Sequence, residues 1–173
     1  MSPRVAGLAA LLALAACASA PPLPPAAVPA PLTATPAQMV AAIRAAGASG
    51  DGELAVQPLR DPQVGDLHAG AARAEAEGRH ADAAAALDAA LAVAPEDPAL
   101  LQERAELAVL LGDLAQAERL ALRAHELGAR VGPLCRRHWA TVEQARLAAG
   151  DAAAAAAARE RIAACRVQGP TRY

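Results

Sequence analysis

The sequence has no phenylalanine, one tryptophan (Trp139) and one tyrosine (Tyr173), so aromatics make up 1% of its 173 residues. Without large rings to fill space, a core has to bring backbones close together. Lysine is absent as well, and every basic side chain is arginine. The formal net charge is −2, which removes the basic surface that nucleic-acid binding requires. No glycine-rich phosphate loop, Ser/His/Asp set or paired-carboxylate site stands out. Glu75 and Glu77, like Glu103 and Glu106, read as solvated helix faces. The run from Cys135 to His138 offers half of a metal-ligand spacing and no second half. His68, His80 and His125 are scattered and read as surface or helix-end residues. The expectation is a protein that is not an enzyme, with no metal or other cofactor.

What the chain has is alanine. Hydrophobic residues make up 55% of the sequence, and alanine supplies most of them. Alanine is the best helix former and loses no side-chain entropy on folding. The fold class is therefore all-α, and 173 residues suffice for one domain.

The N-terminus opens with a short positively charged stretch, Met1 to Arg4, followed by an apolar run from Val5 to Ala13. Leu14, Ala15, Ala16 and Cys17 come next. This is the layout of an export signal, and the apolar run is too short to span a membrane. Secretion with a cut after Ala20 would place Pro21 next to the cut, a poor site for a signal peptidase. An uncleaved apolar helix is the other alternative. Leu14 to Cys17 resembles the lipobox of bacterial lipoproteins in all four residues. The resemblance implies a signal peptide over 1–16 and a lipidated Cys17 as the first mature residue. Ala18, rather than Asp, follows the cysteine, which implies the periplasmic face of the outer membrane. Residues 17–35 then form a linker with prolines at 21, 22, 24, 25, 29 and 31. Proline fixes φ and removes a donor, so an extended, semi-rigid stalk is expected. The rival reading is a proline-rich docking ligand.

Thr35, Pro36 and Gln38 mark a helix start with a capping box, and Gly47 marks its end. Met39, Val40 and Ile43 give that helix an apolar face. The segment 36–60 continues through an irregular passage with a turn at Gly50 to Gly52 and a possible short hairpin. Asp61 and Pro62 open the next helix and Gly78 stops it. A second helix spans about His80 to Val93, and Pro95 closes it. Asp97 and Pro98 repeat the opening, Gly112 stands thirty-four residues after Gly78, and a further helix spans Leu114 to Leu127. A period of this kind is the signature of a repeat architecture.

The spacing resembles the tetratricopeptide repeat, a helix pair of thirty-four residues with small side chains where helices touch. In a first unit from Val64, Leu67, Ala71, Gly78, Ala83, Leu87, Ala90 and Pro95 fall on the family's places. In a second from Pro98, Leu101, Ala105, Gly112, Ala117 and Ala124 do so, while Ala121 and Ala129 depart from it. A third unit, aligned on Gly150, comes thirty-eight residues on. It puts Trp139 and Ala155 in place but Arg146 and Arg159 where apolar residues are usual, as suits a terminal repeat facing water. The alternative is an alanine-rich bundle with accidental spacing. The resemblance implies a short solenoid of two clear repeats and a degenerate third over 61–167, followed by a tail over 168–173. It also implies a partner-binding groove lined by His68, Ala72 and Glu75, by Gln102, Glu106 and Val109, and by Arg137, Ala140 and Gln144. The basic and Asn residues of the carboxylate-clamp subfamily are absent. Cys135 and Cys165 fall at adjoining ends of two antiparallel helices, where an oxidising compartment favours a disulfide over two buried thiols.

The sequence thus points to a membrane-anchored adaptor in the bacterial envelope, whose partner is another envelope protein or peptide segment. The alternative is an accessory subunit of an assembly, secretion or pilus complex that leaves the groove unused.

Overall fold

The computed structural model describes residues 34–48 and 61–166, all within one unit of the chain. The lipobox with Cys17, the linker up to residue 33, the irregular passage from 49 to 60 and the tail with Tyr173 lie outside the described residues. Among the described residues there are seven helices and no strand, so the fold is all-α. They are α1 (Pro36–Ala46), α2 (Pro62–Ala76), α3 (His80–Val93), α4 (Pro98–Leu110), α5 (Leu114–Leu127), α6 (Gly132–Ala148) and α7 (Ala152–Ala164).

Local chemistry sets these boundaries. The Thr35 hydroxyl accepts from the Gln38 amide at 3.3 Å, and Gln38 Oε1 accepts from the Thr35 amide at 2.8 Å, closing the capping box of α1. Asp61, Asp97, Asp113 and Asp151 cap α2, α4, α5 and α7 by accepting from backbone amides one turn in. Each such cap contributes about 1 kcal/mol. Gly78, Gly112 and Gly150 turn the chain between paired helices with φ of 74°, 82° and 75°. That left-handed backbone carries a steric penalty for any residue with a Cβ.

The result is three helical hairpins, α2–α3, α4–α5 and α6–α7, with α3 packed on α4 and α5 on α6. The alanine seam is what lets them close. Ala83, Ala90, Ala105, Ala117, Ala121 and Ala124 are fully buried, and Leu87 and Leu100 supply bulk between them. α6 has 17 residues against 13 in α4, while both hairpin-to-hairpin links have the same length. The longer third hairpin therefore carries one extra helical turn in α6, which keeps the buried face in register. Arg146 and Arg159, which break the apolar pattern, reach acids on neighbouring helices: Arg146 pairs with Glu118, and Arg159 with Glu143 at 2.6 Å.

α1 does not extend this array. It packs against α6 and α4, and its apolar stripe of Met39, Val40 and Ile43 meets Ala108, Val109 and Ala140. Ile43 is fully buried there.

Candidate functional site

The residues expected to line a groove lie on α2, α4 and α6, the first helices of the three hairpins. The middle of that face is covered by α1, and its central residues are buried. Gln102, Glu106 and Val109 have no exposed surface, and Ala140 is 3% exposed. A stripe of three apolar residues on a helix outside the repeat pattern was the signal for this, since such a stripe has to find a partner.

Glu106 is the hub. Its Oε2 accepts from Arg44 Nε of α1 at 2.8 Å. Its Oε1 accepts from Arg137 Nε of α6 at 2.9 Å and from Gln102 Nε2 at 2.9 Å. Arg44 turns its other edge to Glu75 of α2, Nη2 to Oε1 at 2.7 Å. Burial works against the Arg44 charge, but the hydrogen bonds it donates to Glu106 and Glu75 outweigh that and hold the pKa above the ordinary arginine value. Arg136 fastens the other end of the contact, donating from Nε to the Ala46 carbonyl at 2.8 Å and from Nη2 to the Ala48 carbonyl at 2.9 Å. Those carbonyls belong to the end of α1, whose last turn leaves them without helical partners. At Gly47 the chain runs so close to Arg137 that a Cβ would stand 2.3 Å from Arg137 Cγ.

Behind Glu106 the polar chain continues into the core. Gln102 Nε2 also donates to the Thr141 hydroxyl at 2.9 Å, and that hydroxyl donates to the Arg137 carbonyl at 3.0 Å. Facing a carboxylate, the Gln102 amide nitrogen has to be the donor, which leaves its oxygen for His138 Nδ1 at 2.8 Å. His138 therefore carries its proton on Nδ1. Burial, then the neighbouring His125 and Arg137, push its pKa down to about 3. It is a neutral imidazole whose Nε2 is buried with no partner among the described residues.

The other expected groove residues sit at the rim. His68 Nε2 lies 2.6 Å from Glu103 Oε2, with both side chains 29% exposed. Glu75 is tied to Arg44, Arg137 keeps part of its surface, and Gln144 is half-buried. Arg44, Glu75, Glu103, Arg137 and Gly47 border an opening of about 330 Å³ between α1 and the hairpins. The sequence pattern brings His68, Glu75, Gln102, Glu106 and Arg137 to one face; it did not reveal Arg44, Glu103, Arg136, His138 or Thr141.

No protein-family model matches the sequence, and no curated protein does. Among solved structures, the globular C-terminal domain of P. aeruginosa LpoP is similar, with a TM-score of 0.57 and 32% sequence identity. The match covers 61% of this chain and 99% of that one. The chain belongs to the LpoP C-terminal domain family.

In this LpoP-type domain, Cys135 at the start of α6 and Cys165 at the end of α7 form a disulfide, with Cα atoms 5.7 Å apart. The Gly132 amide donates to the Cys165 carbonyl at 2.7 Å and closes the same end of the hairpin. No helix of the LpoP-type domain, among the described residues, is long and apolar enough to cross a membrane.

Proposed function

We propose that the protein is a non-catalytic, membrane-anchored adaptor of the bacterial envelope. It is held to the periplasmic face of the outer membrane by a lipidated Cys17 and engages another envelope protein through its helical domain. The observation that carries this reading is the likeness to the globular C-terminal domain of LpoP over 99% of that domain, on a chain whose first residues read as a lipoprotein signal. We read the three hairpins as tetratricopeptide-like repeats, the third of them degenerate. The open rim of the first-helix face, with His68, Glu103, Glu75 and Gln144, offers polar contacts to a partner segment. Glu106, Gln102 and Val109 serve that face from beneath, by seating α1.

The test is co-purification from bacterial membranes with the full chain, after cross-linking in the cell. The expected result is enrichment of one envelope protein, lost when His68→Glu and Gln144→Arg are combined. No enriched envelope protein, or normal processing of a Cys17→Ser variant, would overturn the reading. A second reading is favoured by α1 lying over the middle of the face: an accessory subunit whose helices complete a larger complex with no groove in use. Under it the same protein is enriched, and the rim variant keeps it.

A further inference from the structure

A second concavity lies at the far end of the third hairpin, where α5, α6 and α7 meet beside the disulfide. It has a volume of about 350 Å³ and is bordered by His125, Arg130, Trp139 and Arg161, with the Cys135–Cys165 bridge and Ala164 completing it. Among the described residues, no carboxylate lines it. Arg161 stands over the Trp139 ring, with Cζ 5.7 Å from the ring centroid. His125 meets the same ring edge-on at 4.9 Å. Among the described residues, Arg130 reaches the Glu126 carbonyl, from Nη2 at 3.4 Å. The Glu126 carboxylate is turned to Arg123 instead, at 3.4 Å.

The contrast with the α1 seat is electrostatic. There, Arg44 and Arg137 converge on Glu106 and Arg44 also pairs with Glu75, so two carboxylates balance two guanidinium groups. Here, neither Arg130 nor Arg161 makes an ion pair among the described residues. Two guanidinium groups border the pocket without an ion pair among the described residues, one of them over the aromatic face, and a half-buried imidazole stands beside that face. After burial itself, Arg130 and Arg161 are the causes that hold His125 below the ordinary histidine range, with Glu126 acting weakly the other way. The pocket wall is thus electropositive, and both arginines stand exposed, within reach of a ligand. His125 Nδ1 is buried and has no partner among the described residues.

We infer that this pocket is a binding site for an acidic peptide segment of a protein partner, one that presents a carboxylate beside an apolar side chain. The carboxylate engages Arg130 and Arg161, which suit planar bidentate contacts with carboxylates. The apolar neighbour lies on the Trp139 face and Ala164. A volume of about 350 Å³ holds one or two side chains and not a whole helix. The disulfide fixes the two helix ends that carry the wall, so the site is formed before the ligand arrives. This deepens the adaptor reading by naming the chemistry of the partner's contact, and it rests on that reading for its role in the cell.

Trp139 is the chain's single tryptophan, so the pocket reports on itself. The experiment titrates the purified full chain with a short peptide alternating glutamate and leucine, following tryptophan fluorescence. The expected result is a saturable change that weakens as salt is raised. Binding becomes about tenfold weaker or more with the glutamine counterpart of the peptide, and likewise in the Arg130→Glu/Arg161→Glu variant. Circular dichroism checks that the variant keeps its helices, and Arg130→Gln/Arg161→Gln serves where the reversed charges disturb it. Equal binding of the glutamine peptide, or unchanged binding by either variant, would refute the site. So would a response to phosphatidylglycerol vesicles with none to the peptide, since the pocket would then read a lipid surface. The two proposals fail separately. Cellular enrichment of a partner that survives both arginine variants leaves the adaptor standing and removes this site. Peptide binding in solution with no partner in membranes does the reverse.

Discussion

His138 makes acid stability a direct reading of the buried network. It is 1% exposed, donates from Nδ1 to Gln102, and has its pKa pushed down to about 3, chiefly by burial. In the unfolded chain a histidine takes up its proton near pH 6.5. Between those two values the unfolded state binds a proton that the folded state refuses, so stability falls as pH falls. Above the unfolded value the effect is absent; it grows through the window from about 6.5 down to about 3 and is complete below it. At pH 5 the unfolded chain is ahead by about one and a half pH units of binding, so this one residue costs about 2 kcal/mol relative to neutral pH. The assay is urea denaturation followed by circular dichroism at pH 7.5 and pH 5, on wild type and on His138→Gln. The variant keeps a donor for Gln102 and cannot titrate. Its absolute stability is not the readout; the difference between the two pH values is. The wild type should lose about 2 kcal/mol more over that interval than the variant does. An equal loss in both proteins would refute the assignment of a neutral, desolvated imidazole at this place.

Ile43→Ala should destabilise the domain by about 2–5 kcal/mol in the same denaturation assay, because Ile43 is fully buried between α1 and the hairpins. Gly47→Ala should cost about 1–3 kcal/mol, since the new Cβ pushes on Arg137 while Glu106 holds that side chain in place. Converting Cys135 and Cys165 to serine should cost roughly 3.5 kcal/mol by the chain-entropy argument for a loop of 30 residues. Intact mass under non-reducing conditions should show the wild type lighter than its reduced form by the two hydrogen atoms lost when the disulfide forms. Asp113→Ala removes the acceptor for the Gln116 amide and should lower stability by about 1 kcal/mol, read as a shift in the thermal midpoint.

The helices of the hairpins were legible because their punctuation is local. Asp61 with Pro62, Asp97 with Pro98, and Gly78 with Gly112 each act within one turn of chain, so sequence order alone reveals them. The small-residue seam was legible for the same reason: Ala83, Ala90, Ala117 and Ala124 recur at one spacing, and all of them are buried. The docking of α1 has no periodic signature. Its apolar stripe announced a buried helix, but nothing in the order of residues says that Arg44 meets Glu106, 62 positions away. Glu106 looked like one of a solvated pair because the helix pattern does not see a neighbour arriving from outside the repeat. The arginine–tryptophan pocket was hidden in a different way. Arg161 and Trp139 meet across α6 and α7, a pairing set by how the two helices pack in the third hairpin.

A stack of helical hairpins is ordinarily a one-dimensional object in which each unit touches only its neighbours, and the end units fray first. α1 changes that. It lies on α4 and α6 and reaches α2 through Arg44 and Glu75, so a single short helix engages all three hairpins. Its contacts join residues 31 to 90 positions apart. Closing those loops costs chain entropy, but the cost grows only slowly with loop length. In exchange, opening the last hairpin also unseats α1 from the first two. The array is thereby fastened together, and a single-step thermal transition is expected where an unclasped stack of the same hairpins would come apart from its ends.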